Sequence, residues 1–208
     1  DRGFTCCDNG GGKLGTRGPG NKISATIRPP KFDVATPMLR LQLLGDFAVL
    51  RNGAPIPLPQ SRKTRALFAY LAVTGRSHQR ERLCDIFWDG PNDPKAELRW
   101  SLSKIRQMLG DGAGPSIDAD RHTVRLPPGR IESDFADVHG LAAADLSVVE
   151  LGRLERAAEL FQGPFLADVA LHRCPEYELW RTALANDCNL LHVRILRTLI
   201  ERLNEQPE

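Results

Sequence analysis

The sequence predicts an α+β segment followed by an all-α one, and three observations carry that expectation. Apolar residues alternate between Leu39 and Val49, then recur at threes and fours in three stretches between Ser61 and Gly110. A second alternating stretch covers 116–126, and from about Asp134 the helical spacing holds to the end. Gly, Pro, Asn-Gly and Asp-Gly punctuate the chain where the pattern changes.

Residues 1–37 are rich in Gly, Pro, Lys and Arg and too poor in apolar residues to build a core, so they are read as a disordered leader. From Met38, Leu39, Leu41 and Leu43 alternate with Arg40 and Gln42, and Phe47, Val49 and Leu50 follow Gly45-Asp46, which predicts two strands and a turn. Asn52-Gly53 makes a second tight turn, and Ile56 and Leu58, set between prolines, suit an edge strand. Ser61 opens a helix to about Thr74 that Gly75 stops, and a shorter helix is expected over about Gln79 to Trp88.

The third helix is the most sharply bounded. Asp93 suits the cap, Pro94 the first helical position and Gly110 the residue past the end. On a helical wheel Leu98, Leu102, Ile105 and Leu109 form one apolar stripe, while Ala96, Trp100, Ser103, Lys104 and Gln107 point the other way. That outer face carries a tryptophan beside a lysine, flanked by Arg99 and Arg106, with Glu97 as its acid. The ordinary alternative is a surface helix whose Trp100 packs on a neighbouring element. After the flexible stretch 111–115, residues 116–126 predict a β-hairpin with Arg121-His122-Thr123 at its tip. Strands, three helices and a basic hairpin are the plan of a winged helix-turn-helix, in which the third helix enters the major groove and the hairpin reaches the adjacent backbone or minor groove.

Beyond Asp134, Ser147-Val148-Val149-Glu150 reads as a capping box for a helix through about Phe161 that Gly163-Pro164 ends. In the final long helix Trp180, Leu184, Cys188, Leu191, Ile195 and Leu199 recur at threes and fours. These helices fit a bundle or a tetratricopeptide-like array. If the array is incomplete at the C-terminus, some of Leu196, Leu199, Ile200 and Leu203 are expected to lack a neighbour.

Net charge is only +2, but its distribution divides the chain. Residues 61–110 hold ten Lys/Arg against five Asp/Glu, and 111–208 hold ten against seventeen, so a basic segment suited to phosphates joins an acidic one. The five cysteines show no C-x-x-C and no regular spacing, which argues against a disulfide framework or zinc finger. Cys188 and His192, one helical turn apart, read as a buried thiol beside a surface imidazole, and no metal or other cofactor is expected. No apolar run reaches the length of a membrane span and no signal peptide is visible, so no membrane partner and a cytoplasmic location are expected. A Gly-rich phosphate loop, G-x-S-x-G and H-E-x-x-H are all missing, and no catalytic residue or enzyme activity is expected.

The residues then carry a family. Ser61 to Leu71, Arg82 to Trp88 and Leu102 to Leu109, behind a strand meander, resemble the OmpR-type winged helix of the SARP-like bacterial transcriptional activators. Gln162-Gly163-Pro164-Phe165-Leu166 and Glu176-Tyr177-Glu178-Leu179-Trp180 resemble their bacterial transcriptional activator domain, whose helices are tetratricopeptide-like. The resemblance covers about Leu39 to Leu203 and implies a DNA-binding domain at 38–132 and the N-terminal part of an activator domain at 133–208. It also implies binding as a homodimer to repeated half-sites and contact with RNA polymerase. The family's third helix usually carries more arginine, with a basic pair where Ser103-Lys104 stand, so the DNA sequence read is expected to differ. No phosphoacceptor receiver domain is expected upstream, and control by an aspartyl phosphate is not expected.

On this reading double-stranded DNA is the partner, and the protein is a transcriptional regulator, an activator. Lys104 and Arg99 serve as donors to guanine or phosphate, Ser103 as a smaller polar reader and Trp100 as a contact for a thymine methyl. Arg106, Arg121 and His122 meet the backbone, and Arg62 and Lys63 are either further phosphate contacts or solvated first-turn residues. The rival reading is a protein-interaction module with a degenerate winged helix that never touches DNA.

Overall fold

The alternating leucines pair as expected. In the computed structural model, which describes residues 39–88, 90, 93–110, 116–127 and 131–205, β1 (Leu39–Gln42) runs antiparallel to β2 (Ala48–Arg51), with Leu41 opposite Val49. Leu39, Leu41 and Val49 are buried on one face. The expected leader and the stretch 111–115 lie outside the described residues.

Asn52 and Gly53 take positive φ at 52° and 83°, turning β2 into the edge strand β3 (Ala54–Pro55). The edge strand thus falls before Ile56 and Leu58, where it was expected. Ile56 still donates to the Val49 carbonyl at 2.9 Å, but Pro57 and Pro59 have no N–H with which to extend the ladder.

Helix α1 (Arg62–Thr74) starts where the Ser61 side chain accepts from the Thr64 amide and stops at Gly75, whose φ is 59°. Two-residue β4 (His78–Gln79) follows, then α2 (Arg80–Phe87) and α3 (Pro94–Leu109). The hairpin β5 (Asp118–Ala119) and β6 (Thr123–Arg125) pairs with β4, giving the order β4-β6-β5. His78 is buried there and reaches Thr74 Oγ1 at 2.7 Å. The Thr74 hydroxyl already donates to the Tyr70 carbonyl, so the imidazole Nε2 is the donor in this contact.

The chain does not pass directly into helices. Strand β7 (Ile131–Ser133) lies parallel to β1 and completes a sheet of order β3-β2-β1-β7. The division expected between 132 and 133 therefore falls inside a strand. Helix α4 (Asp134–His139) follows at once, capped by Ser133. The buried Asp134 carboxylate accepts from the amides of Leu43, Leu44 and Phe135 at 2.7–3.0 Å.

The capping box expected at Ser147 is not formed. Ser147 sits inside a 3-10 turn (Leu146–Val148) capped by Asp145, and α5 (Leu151–Glu159) begins after Glu150 with no side-chain cap. Asp145 lies two residues before Ser147 and takes its amide first, at 3.0 Å. The last element is α6 (Pro175–Asn204).

The loop between α5 and α6 docks on the segment after β1. Gln162 donates to the Leu44 carbonyl, Leu166 to Leu43 and Ala167 to Gly45 at 2.8–3.0 Å. Gly45, at φ +141°, lies so close that a Cβ on it would sit 3.2 Å from that of Gln162. Asp168 accepts from the Phe47 amide at 2.8 Å and pairs with Arg65 at 3.2 Å. Behind α1 and α2, Trp180 stands edge-on to Tyr70 and Tyr177 tilts against Phe87, with ring centres 4.8 and 5.3 Å apart. One continuous core runs from Leu39 to Leu199, so the strands, the three helices and the helical part form one compact unit.

Candidate nucleic-acid interface

The core claims one side of α3 and leaves the other to solvent. Leu98, Leu102, Ile105 and Leu109 are buried, as the wheel requires, and Ser101 joins them. Ser101 was not singled out from the sequence. Its hydroxyl meets Thr64 Oγ1 at 2.9 Å, a buried polar bond that keys α3 to the first turn of α1. Asp93 caps the helix through the amides of Lys95 and Ala96, both at 3.0 Å. At the other end Arg51 Nη2 donates to the carbonyls of Met108 and Leu109.

The opposite side presents Lys95, Arg99, Trp100, Ser103, Lys104, Arg106 and Gln107. Trp100 is 48% exposed, so about half of it faces solvent rather than a neighbouring element. Lys104 Nζ lies 5.7 Å from the centre of its ring and 3.4 Å from Gln107 Oε1. Arg99 is 3.9 Å from Asp93 and Lys95 is 3.5 Å from Glu81, with all four side chains exposed. Such pairs are worth roughly 0–1 kcal/mol, so a phosphate can displace either acid. Arg106 differs from its expected role in one respect: its guanidinium lies 3.4 Å from the Ile117 carbonyl, tying α3 to the base of the hairpin.

The hairpin tip is built by Asp120. Its Oδ1 accepts from the amides of His122 and Thr123 at 2.6 Å and its Oδ2 from the Thr123 hydroxyl at 3.0 Å. These bonds, those from Thr123 foremost, hold the Asp120 carboxyl below its ordinary value. The His122 carbonyl accepts from the Arg80 amide at 2.8 Å, and Arg80 Nε donates to the Asp120 carbonyl at 2.9 Å. The tip is thereby fixed to the start of α2.

A cleft of about 430 Å³ separates the tip from the N-terminal half of α3, and Arg80, Lys95, Arg99, Arg121 and His122 line it. The structure thus brings Arg99, Arg121 and His122 together. Arg62 and Lys63 stand elsewhere, on the first turn of α1. Lys95 and Arg80 were missed in the sequence. Lys95 sits four residues before Arg99 and so on the same face, a spacing legible in advance. Arg80 joins the cleft only because β4 pairs with β6. Among the described residues no group of His, Cys, Asp and Glu is placed to hold a metal; His192 stacks flat on Phe161, ring centres 4.1 Å apart.

These features define a mixed sheet-and-helix part in which a hairpin stands beside an open basic helix face, continued by a helical part. No family model matches the chain, and no curated protein does. Among solved structures it is similar to that of Mycobacterium tuberculosis EmbR in complex with a low-affinity phosphopeptide, with a TM-score of 0.59 and 26% identity. The similarity covers 79% of this chain and 46% of the EmbR chain, so this chain spans less than half of that one's length. The likeness supports a SARP-like regulator, with a mixed sheet and helix region followed by helices. No helix among the described residues is long and apolar enough to cross a membrane.

Proposed function

We propose that the protein is a sequence-specific DNA-binding transcriptional activator acting in the cytoplasm. Helix α3 lies in the major groove, and the 116–126 hairpin rests on the adjoining backbone or minor groove. The observation that carries this reading is the outward face of α3, where a half-exposed tryptophan and solvent-exposed cations stand opposite a fully buried stripe. The major groove, about 12 Å wide, admits one α-helix.

Lys104, Ser103 and Trp100 lie deepest and read base edges, while Arg99 serves base or phosphate. Arg121, His122 and the remaining free donor capacity of Arg106 meet the backbone. Arg62 and Lys63 add phosphate contacts from α1. Residues 38–132 carry the DNA contacts, and residues 133–208, an activator-domain portion fused to the same core, present surface to RNA polymerase. Binding as a homodimer to repeated half-sites belongs to the same proposal.

Selection of duplexes from a random pool tests it. A recurring motif, enriched by the wild-type chain and lost when Trp100, Ser103 and Lys104 are all alanine, is the expected result. A pool that stays unenriched would overturn it and favour the interaction-module reading.

A further inference from the structure

The last four carbonyls of an α-helix have no partner within the helix and carry its negative end. In α3 the Arg106 carbonyl accepts from the Gly110 amide at 2.9 Å. Those of Met108 and Leu109 accept from Arg51 Nη2 at 2.9 and 3.0 Å. Arg51 closes β2, opposite Leu39 in β1 and Ala54 in β3, so this cation bolts the end of α3 to the sheet. Its Nε is buried without a hydrogen-bond partner among the described residues. An orphaned donor is unfavourable, a cost that the two bonds from Nη2 to the helix end offset. A groove of about 360 Å³ lies between the proline segment after β3 and α3, and Arg51, Lys104, Gln107 and Met108 share its wall.

We infer that Arg51 is a positioning residue for sequence reading: by clamping the C-terminal carbonyls of α3 it fixes where Lys104 meets the bases. The inference rests on the DNA-binding reading above. Helix α3 is 16 residues long. That makes it about 24 Å, with Asp93 securing one end and the buried stripe fixing its roll. The stripe resists sliding, but tilt at the far end is opposed by Arg51. Lys104 lies within the last two turns, where tilt displaces a side chain most, and recognition geometry tolerates only about 0.5 Å. The guanidinium faces the helix end, so it adds no phosphate contact of its own.

The test uses the duplex selected from a random pool by the wild-type chain, together with its single-base variants. Arg51→Met is expected to reduce discrimination by roughly tenfold at the position read by Lys104, the scale of one lost base contact. Discrimination elsewhere and the salt dependence should hold. In a Lys104→Ala background the same change should have no further effect on discrimination. Arg51→Lys, whose single ammonium reaches one carbonyl, should fall between, and it carries the test if Arg51→Met does not fold. Thermal melting is recorded for each variant. Discrimination unchanged in both folded variants would overturn the inference, and so would a salt slope lowered by about one unit, which marks a direct phosphate contact. An equal loss at every position, still present in the Lys104→Ala background, would reduce Arg51 to a structural role. A wild-type chain that enriches no duplex removes the DNA reading, and this inference with it.

Discussion

Lys104 and Arg121 are both exposed cations, yet their places make them different instruments. Lys104 stands beside Trp100 opposite the buried stripe, so Lys104→Ala should cost binding to the selected site roughly 1–3 kcal/mol and flatten preference at one position. Arg121, at the hairpin tip beside the cleft, should on replacement by alanine weaken all sequences about equally and lower the salt slope by about one unit. Paired binding titrations on selected and scrambled duplexes distinguish the two. Asp134 is the opposite case, a buried acid with a structural task. Both of its oxygens accept amides, so Asp134→Asn must turn an NH2 toward an N–H donor. A loss of about 1–3 kcal/mol in urea unfolding is expected, with the solvent-facing side chains of α3 untouched.

Among the elements, the hairpin is one that acid can loosen. Because its hydrogen bonds depress the folded-state pKa of Asp120, they favour the hairpin fully above the ordinary carboxyl value of 3.8. That support is lost as pH falls through the lowered value. Amide exchange at His122 and Thr123 should quicken in that acidic window before the protection of α1 is lost, and Asp120→Ala should abolish the difference. The elements that the sequence shows well are those with local causes. Asp93-Pro94 and Gly110 bound α3, and Ser61 and Gly75 bound α1, because caps are made by residues adjacent in the chain. Strands β4 and β7 are two and three residues long; no periodicity can mark so short a run, and their partners come from distant segments. The cleft shares that origin: the helix-face spacing of Lys95 and Arg99 is local, but the meeting of Arg80 with the hairpin depends on β4 finding β6. At Ser147 a capping-box spacing alone does not reveal that Asp145 competes for the same amide.

At the scale of the molecule, α6 has two faces. Tyr177, Cys188, Leu191, Ile195 and Leu199 are buried, whereas Leu179, Leu190, Val193, Leu196, Ile200 and Leu203 are 41–74% exposed. The expectation that some of the last leucines and isoleucine lack a neighbour is met by Leu196, Ile200 and Leu203, and Leu199 turns inward. Ile200→Ser should therefore shift the urea midpoint by the equivalent of no more than about 0.5 kcal/mol. Ile195→Ala, at a position with no exposure, should cost about 2–5 kcal/mol. Because the core is continuous from Leu39 to Leu199, that loss should appear in one unfolding transition reported equally by α3 and α6.

Reading of duplex DNA by α3 and the hairpin stands or falls on one titration: the wild-type chain against its selected duplex and a scrambled duplex of equal length, from about 50 to about 200 mM salt. The selected duplex should bind roughly a thousandfold or more tighter at each salt concentration. Affinity for both should fall with a logarithmic slope of about −0.9 per neutralised phosphate. A slope near zero, or equal affinity for the two duplexes, would contradict it.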